Sequence, residues 1–206
     1  MDSNRTMTID SHFADYSRRV GDLLNGFDWS PVERLAEEML GCWQTGRQVF
    51  FAGNGGSAGN AIHLANDFLY AFTKTSGSGL KVHALPANQA VITCLANDEG
   101  YGEIFSLQLA VQANADDVLI VFSGSGNSPN ILKALEKARD IGMRSYAVLG
   151  YGGGKAKALA GCAIHFPIND MQIAEDMQLI VGHMIMQWLS KHHQSGRNGV
   201  PGPNVT

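Results

Sequence analysis

The chain has 206 residues, 45% of them hydrophobic and 17% charged, which suffices for one globular domain with a substantial core. Its 15 basic and 19 acidic residues leave a net charge of −4, which excludes the basic footprint of a nucleic-acid-binding domain but not a small anion held by backbone N–H groups. Cys42, Cys94 and Cys162 are widely spaced and form no CxxC pair, which argues against a disulfide framework or a cysteine zinc site.

The segment Met1 to Asp10 is polar and lacks the apolar run of a signal peptide, and no apolar stretch reaches the length of a membrane span. A cytoplasmic protein with reduced thiols is therefore expected. Residues 12–25 and 31–46 read as two amphipathic helices, the second opened by Ser30-Pro31 as cap and first turn. This pair forms an N-terminal unit, 1–47, whose apolar stripe needs a partner surface, for which a second copy of the same pair would serve. An α/β domain is expected over 48–193. Its strands are read at Gln48–Ala52, Lys81–Leu85, Asp117–Phe122, Arg144–Leu149 and Ala163–Pro167. Its helices are read at about 57–72, 88–96, 102–113, 129–141, 153–160 and 171–192. Apolar strands alternating with helices imply a parallel sheet covered on both faces. Residues 194–206, rich in Gly, Pro and Asn, read as a disordered tail.

Two strand-to-helix junctions carry the functional signal. Gly53-Asn54-Gly55-Gly56-Ser57 follows the first strand, and Ser123-Gly124-Ser125-Gly126-Asn127-Ser128 follows the third. Glycines let backbone approach a ligand, the free N–H groups of a starting helix favour an anion, and Ser57, Ser123, Ser125 and Ser128 each offer a hydroxyl donor. Ligands of open parallel sheets bind outside such carboxyl ends. Neither GxxxxGK[ST] nor GxGxxG is present, so phosphate is favoured over a nucleotide.

Further along, His63 and Asp67 lie four apart and share a helix face, a spacing that by itself fits an ordinary ion pair. Glu175 sits in an acidic first turn that suits the helix dipole, and His183 is a polar residue on a largely apolar helix, where it needs a partner.

The stretches GNGGSAGNAIHLANDF and VFSGSGNSPNILKAL, with Ala96-Asn97-Asp98 and Tyr151-Gly152-Gly153-Gly154, resemble the SIS (sugar isomerase) family, phosphoheptose isomerase branch, and the likeness runs to about residue 190. The resemblance implies a flavodoxin-like three-layer αβα sandwich on a five-stranded parallel sheet, and a homotetramer with sites between subunits. It implies interconversion of sedoheptulose 7-phosphate and glycero-manno-heptose 7-phosphate. Asn54, Gly55, Gly56, Ser57, Asn97, Asp98, Ser123, Gly124, Ser125, Ser128 and Glu175 would contact this phosphorylated sugar. His63 and His183 match two metal-binding positions. Asp67 stands where the family has a glutamate that is ligand and base, and Glu175 where it has a metal-binding glutamine. Zinc is the implied cofactor, with Asp67, Glu175 and His183 as catalytic residues and the base left open between the two carboxylates. Gly124 replaces an expected threonine. Asp67 is one methylene short, which a small backbone shift would have to recover. Glu175 and His183 lie about 12 Å apart along a straight helix, so neighbouring subunits are expected to share in each site. The competing expectations are a non-catalytic SIS protein, either an adaptor that binds the replication initiator DnaA or a sugar-phosphate sensor, and an isomerase for another phosphosugar. Asp67 and His183 favour the enzyme. No helix-turn-helix domain fits before residue 48.

Overall fold

The computed structural model describes residues 9–71 and 79–192. Two helices, α1 (Ile9–Gly26) and α2 (Ser30–Thr45), precede the sheet. There follow β1 (Gln48–Gly53), α3 (Gly56–Asn66) with a π-helical turn over Asp67–Ala71, and β2 (Lys81–Ala84). Then come α4 (Gln89–Asp98), a 3-10 turn (Tyr101–Glu103), α5 (Ser106–Gln112), β3 (Val118–Ser123) and α6 (Pro129–Ile141). The chain closes with β4 (Arg144–Leu149), α7 (Ala156–Leu159), β5 (Cys162–His165) and α8 (Met171–His192).

All strand pairs are parallel, in the order β2-β1-β3-β4-β5. This is the flavodoxin-like order, in which the chain reverses direction across the sheet between β1 and β3 and opens a crevice there. The five-stranded αβα architecture expected from the sequence is thus present. Alternation along β1 explains the layering. Val49 and Phe51 face one core with α2, α3 and α8, while Phe50 and Ala52 face the other with Leu109, Ile131 and Ala156.

The apolar stripe of α2 is covered within its own chain, since Leu35 and Met39 are buried against the sheet core. The start of α2 also differs from the expected serine cap. Ser30 is the first helical residue, and Asp28 Oδ1 accepts from its N–H at 3.1 Å. α1 is tied to the start of α8 by the Tyr16 hydroxyl donating to Asp176 and by Arg19 Nη2 to Asp170 Oδ2 at 2.7 Å. The helix expected over 102–113 is split into the 3-10 turn and α5. It begins after Gly100, whose φ of 95° is left-handed and incompatible with an incoming helix. β5 ends before Pro167, which has no N–H for the ladder. Residue 72, where the third helix was expected to end, and the tail 194–206 lie outside the described residues. No helix among the described residues is long and apolar enough to cross a membrane.

Candidate active site

The loop after β1 and the loop after β3 meet at the switch point. β1 and β3 are paired in register up to Gly53 and Phe122. Beyond that register the loops are joined by a reciprocal amide pair. Asn54 Nδ2 donates to Asn130 Oδ1 at 2.9 Å, and Asn130 Nδ2 donates to Asn54 Oδ1 at 2.8 Å. Asn130 sits in the first turn of α6 and is buried. Tyr101 also donates its hydroxyl to Asn54 Oδ1, at 3.2 Å.

The hydroxyls of both loops are held as acceptors from behind. Gln178 Nε2 donates to Ser57 Oγ at 3.0 Å, Gly126 N to Ser123 Oγ at 3.0 Å and Asn127 N to Ser125 Oγ at 3.3 Å. A hydroxyl occupied this way keeps its own hydrogen for an incoming anion. Ser128, at the N-cap of α6, makes no side-chain cap bond. Gly55 adopts a φ of 56°, a conformation glycine takes without strain, and so turns the chain into α3. The second loop is pressed against the turn after β4, with Ala156 N donating to Gly126 O at 2.9 Å. A Cβ at Gly126 or Gly154 would run into the opposing backbone.

Gly124 is buried, and the space a side chain would use there is filled by Met171. Asn97 and Asp98 end α4 and are exposed. Asn97 Nδ2 donates to Asp98 Oδ1 at 2.8 Å, and this bond, with a second from the Cys94 thiol, holds the Asp98 carboxyl below its ordinary range. No hydrogen bond among the described residues links either to the loops.

α3 and α8 run side by side in the same direction. Gly56 faces the Glu175 carboxylate, Asn60 Nδ2 donates to Gln178 Oε1 at 2.9 Å and to Glu175 O at 3.0 Å, and Leu64 lies on Gly182. One turn further, His63, Asp67 and His183 converge. His63 Nε2 is 3.1 Å from His183 Nε2, and Asp67 Oδ2 lies 3.4 Å from His63 Nε2 and 3.6 Å from His183 Nε2. A tetrahedral ion with bonds of about 2.0–2.1 Å has ligand–ligand edges of about 3.3 Å. The three donors therefore could hold a divalent cation. Asp67 opens the π-helical turn, so the backbone shift that its shorter side chain calls for coincides with a local widening of the helix.

Three of the four residues read as metal ligands are thus brought together, and within one chain. Glu175 is not among them. It lies eight residues before His183 on α8, its carboxylate rests against Gly56 at the mouth of the first loop, and it makes no hydrogen bond through that carboxylate among the described residues. The His63–Asp67–His183 group assembles within one chain because α8 delivers His183 to α3. Sequence reasoning missed Asn130, Asn60, Gln178 and Tyr101, although Asn130 and Asn60 lie in the helices that the two glycine-rich loops open.

A family model described as the SIS domain matches residues 12–150. The chain belongs to the SIS-domain family. The phosphoheptose isomerase of Helicobacter pylori strain P12 is 37% identical over 145 residues, which cover 70% of this chain and 75% of that protein. That of Trichlorobacter lovleyi is 34% identical over 177 residues, covering 86% and 87%. In three dimensions this SIS domain matches a phosphoheptose isomerase from Francisella tularensis with a TM-score of 0.83 and 27% identity, over 89% of this chain and 96% of that one. These relatives put the chain in the phosphoheptose isomerase branch.

Proposed function

We propose that this SIS domain is an aldose–ketose isomerase that interconverts sedoheptulose 7-phosphate and glycero-manno-heptose 7-phosphate through an enediol. The observation that carries the reading is that α3 starts from one loop of a two-loop hydroxyl cradle and ends at the His63–Asp67–His183 group. Gly56 and His63 are seven residues apart on α3, about 10 Å at 1.5 Å per residue. A substrate anchored by its phosphate at the loops must span that distance to present its carbonyl end, which favours a long-chain phosphosugar in its open form.

The cradle binds the phosphoryl group through Ser57, Ser123, Ser125, Ser128 and the N–H groups opening α3 and α6. This remote binding energy positions the reacting carbons. Asp67, beside the two imidazoles, removes the proton from the carbon next to the carbonyl, and His183 carries a proton to the oxygen. Glu175, unpaired at the mouth of the cradle, orients the sugar hydroxyls. Zinc, the cofactor in this reading, would be held by His63, Asp67 and His183 and would supply polarisation of the carbonyl. The working unit in this reading is a cytoplasmic homotetramer. In its support, Ile9 and Phe13 of α1 are exposed, and α4 carries Val91, Ile92 and Leu95 without a single buried residue.

Proton exchange at the substrate carbon in deuterated buffer tests the reading. With sedoheptulose 7-phosphate, exchange is expected in the wild type and in Glu175→Gln, and is expected to fall by about 10²–10⁴ in Asp67→Asn. Binding without exchange for every phosphosugar tried would instead make the chain a sensor or adaptor.

A further inference from the structure

A second cleft lies at the other end of the sheet. The amino ends of β4 and β5, with α2 and the last turn of α6, border an open cleft of about 510 Å³. The phosphate loops leave the carboxyl ends, and the six residues of β4 alone separate the two regions by about 16 Å.

Three arginines line this cleft, Arg34 from α2, Arg139 from α6 and Arg144 from β4, in a chain whose net charge is −4. The carboxylate in the lining, Glu38, is already engaged by Arg47 Nη1 at 3.1 Å and by Arg144. Arg34 donates to the thiol of Cys162 at 3.6 Å, and neither Arg34 nor Arg139 has an ion-pair partner among the described residues. Asp28 acts on Arg34 electrostatically but forms no salt bridge with it.

A separate observation points to the same space. Tyr146 lines the cleft, is only 8% exposed, and makes no hydrogen bond among the described residues. Its hydroxyl is not sealed from solvent, so it can donate to a ligand in the cleft. Burial first, then the nearby Glu38 carboxylate, push its pKa up to about 12, so it remains a donor across the physiological range. Ser145 Oγ accepts from Gly161 N at 3.0 Å and keeps its own hydrogen to donate. We propose that this cleft is a second anion site, which binds a small phosphate monoester through Arg34, Arg139, Arg144 and the Tyr146 hydroxyl. Guanidinium forks match the oxygens of such a group, and two unpaired cations match its double charge. A ligand there does not compete with substrate at the loops, so the site would serve a phosphorylated effector.

Cys162 reports on occupancy. It lies in the cleft and is partly exposed, while Cys94 is exposed elsewhere and Cys42 is buried. Alkylation by neutral iodoacetamide, read for each cysteine by peptide mass spectrometry, is followed with glycerol 3-phosphate as the probe. Saturable slowing at Cys162 and none at Cys94 is expected, with no effect of glycerol or of sodium chloride at matched ionic strength. Arg139→Gln and the conservative Tyr146→Phe should each raise the half-protecting concentration, Arg139→Gln by about tenfold. Ser125→Ala, in the other site, should leave it unchanged. Equal responses of Cys162 and Cys94, slowing by chloride alone, protection that survives both cleft variants, or protection lost in Ser125→Ala would each overturn the proposal.

Discussion

Replacing Gln178 by leucine isolates the support behind the first phosphate loop. Gln178 is fully buried, and its amide joins Ser57 Oγ to Asn60 Nδ2 at 3.0 and 2.9 Å. Leucine is similar in bulk and offers no polar atom. Asn60 keeps its bond to Glu175 O, so its loss is small. Ser57 is 4% exposed and loses the donor that fixes its hydroxyl. One buried hydrogen bond plus one poorly satisfied buried group amounts to about 2 kcal/mol. For a domain of this size that corresponds to a fall in Tm of roughly 4–8 °C. A freed Ser57 hydroxyl also weakens phosphate anchoring by about 1 kcal/mol, or roughly fivefold in KM, with a smaller change in kcat. Calorimetry and initial rates measure both. Ser57→Ala combined with Gln178→Leu should cost less than the sum of the single changes, since both ends of one bond are removed together. An unchanged Tm in Gln178→Leu, or a strictly additive double variant, would refute this account of the loop.

Zinc binding by equilibrium dialysis should drop sharply in His63→Ala, Asp67→Asn and His183→Ala and persist in Glu175→Gln, whose carboxylate lies outside the cluster. Loss in Glu175→Gln as well would place that residue among the ligands. Gly124→Thr should raise KM, because its Cβ would stand 2.5 Å from Met171 Sδ, and Met171→Ala in the same chain should restore binding. Asp170 caps α8 through Gln172 N at 3.1 Å and Ile173 N at 3.2 Å, so Asp170→Ala should cost about 1 kcal/mol in urea unfolding. Burial alone would raise the Asp170 pKa, but the bonds from Arg19 and from the N–H groups of Ile173 and Gln172 outweigh it and hold the carboxyl below its ordinary range. Its contribution is therefore complete above the unfolded-state pKa and fades as pH falls through the lower folded-state value, so wild type and variant should converge in acid.

Much of the architecture was legible because it rests on local pattern. The runs QVFFA and DVLIVF are buried on both faces and could hardly be anything but interior parallel strands. The two serine-bearing loops were visible for the same reason, as glycines placed directly after such strands. His63 and Asp67 could be put on one face, but nothing within α3 says what that face meets. The meeting with His183 is a contact across 120 residues, set by how α8 docks. Asn130 and Gln178 escaped notice because a polar residue on a helix looks solvent-facing until its partner is known, and their partners are 76 and 121 residues away. The π-helical turn at Asp67 has no periodicity signal of its own, and the separation of Glu175 from the cluster follows from helix geometry that the sequence shows only as an eight-residue gap.

Because the cluster draws two donors from the third helix and one from the last, it exists only while those helices stay docked. Any ion gripped by all three donors ties its own binding free energy to that docking, so saturating the ion should clamp α8 in place and slow hydrogen exchange along it. The reverse coupling holds as well, and fraying of the terminal helix would silence the chemistry before the sheet itself had begun to unfold.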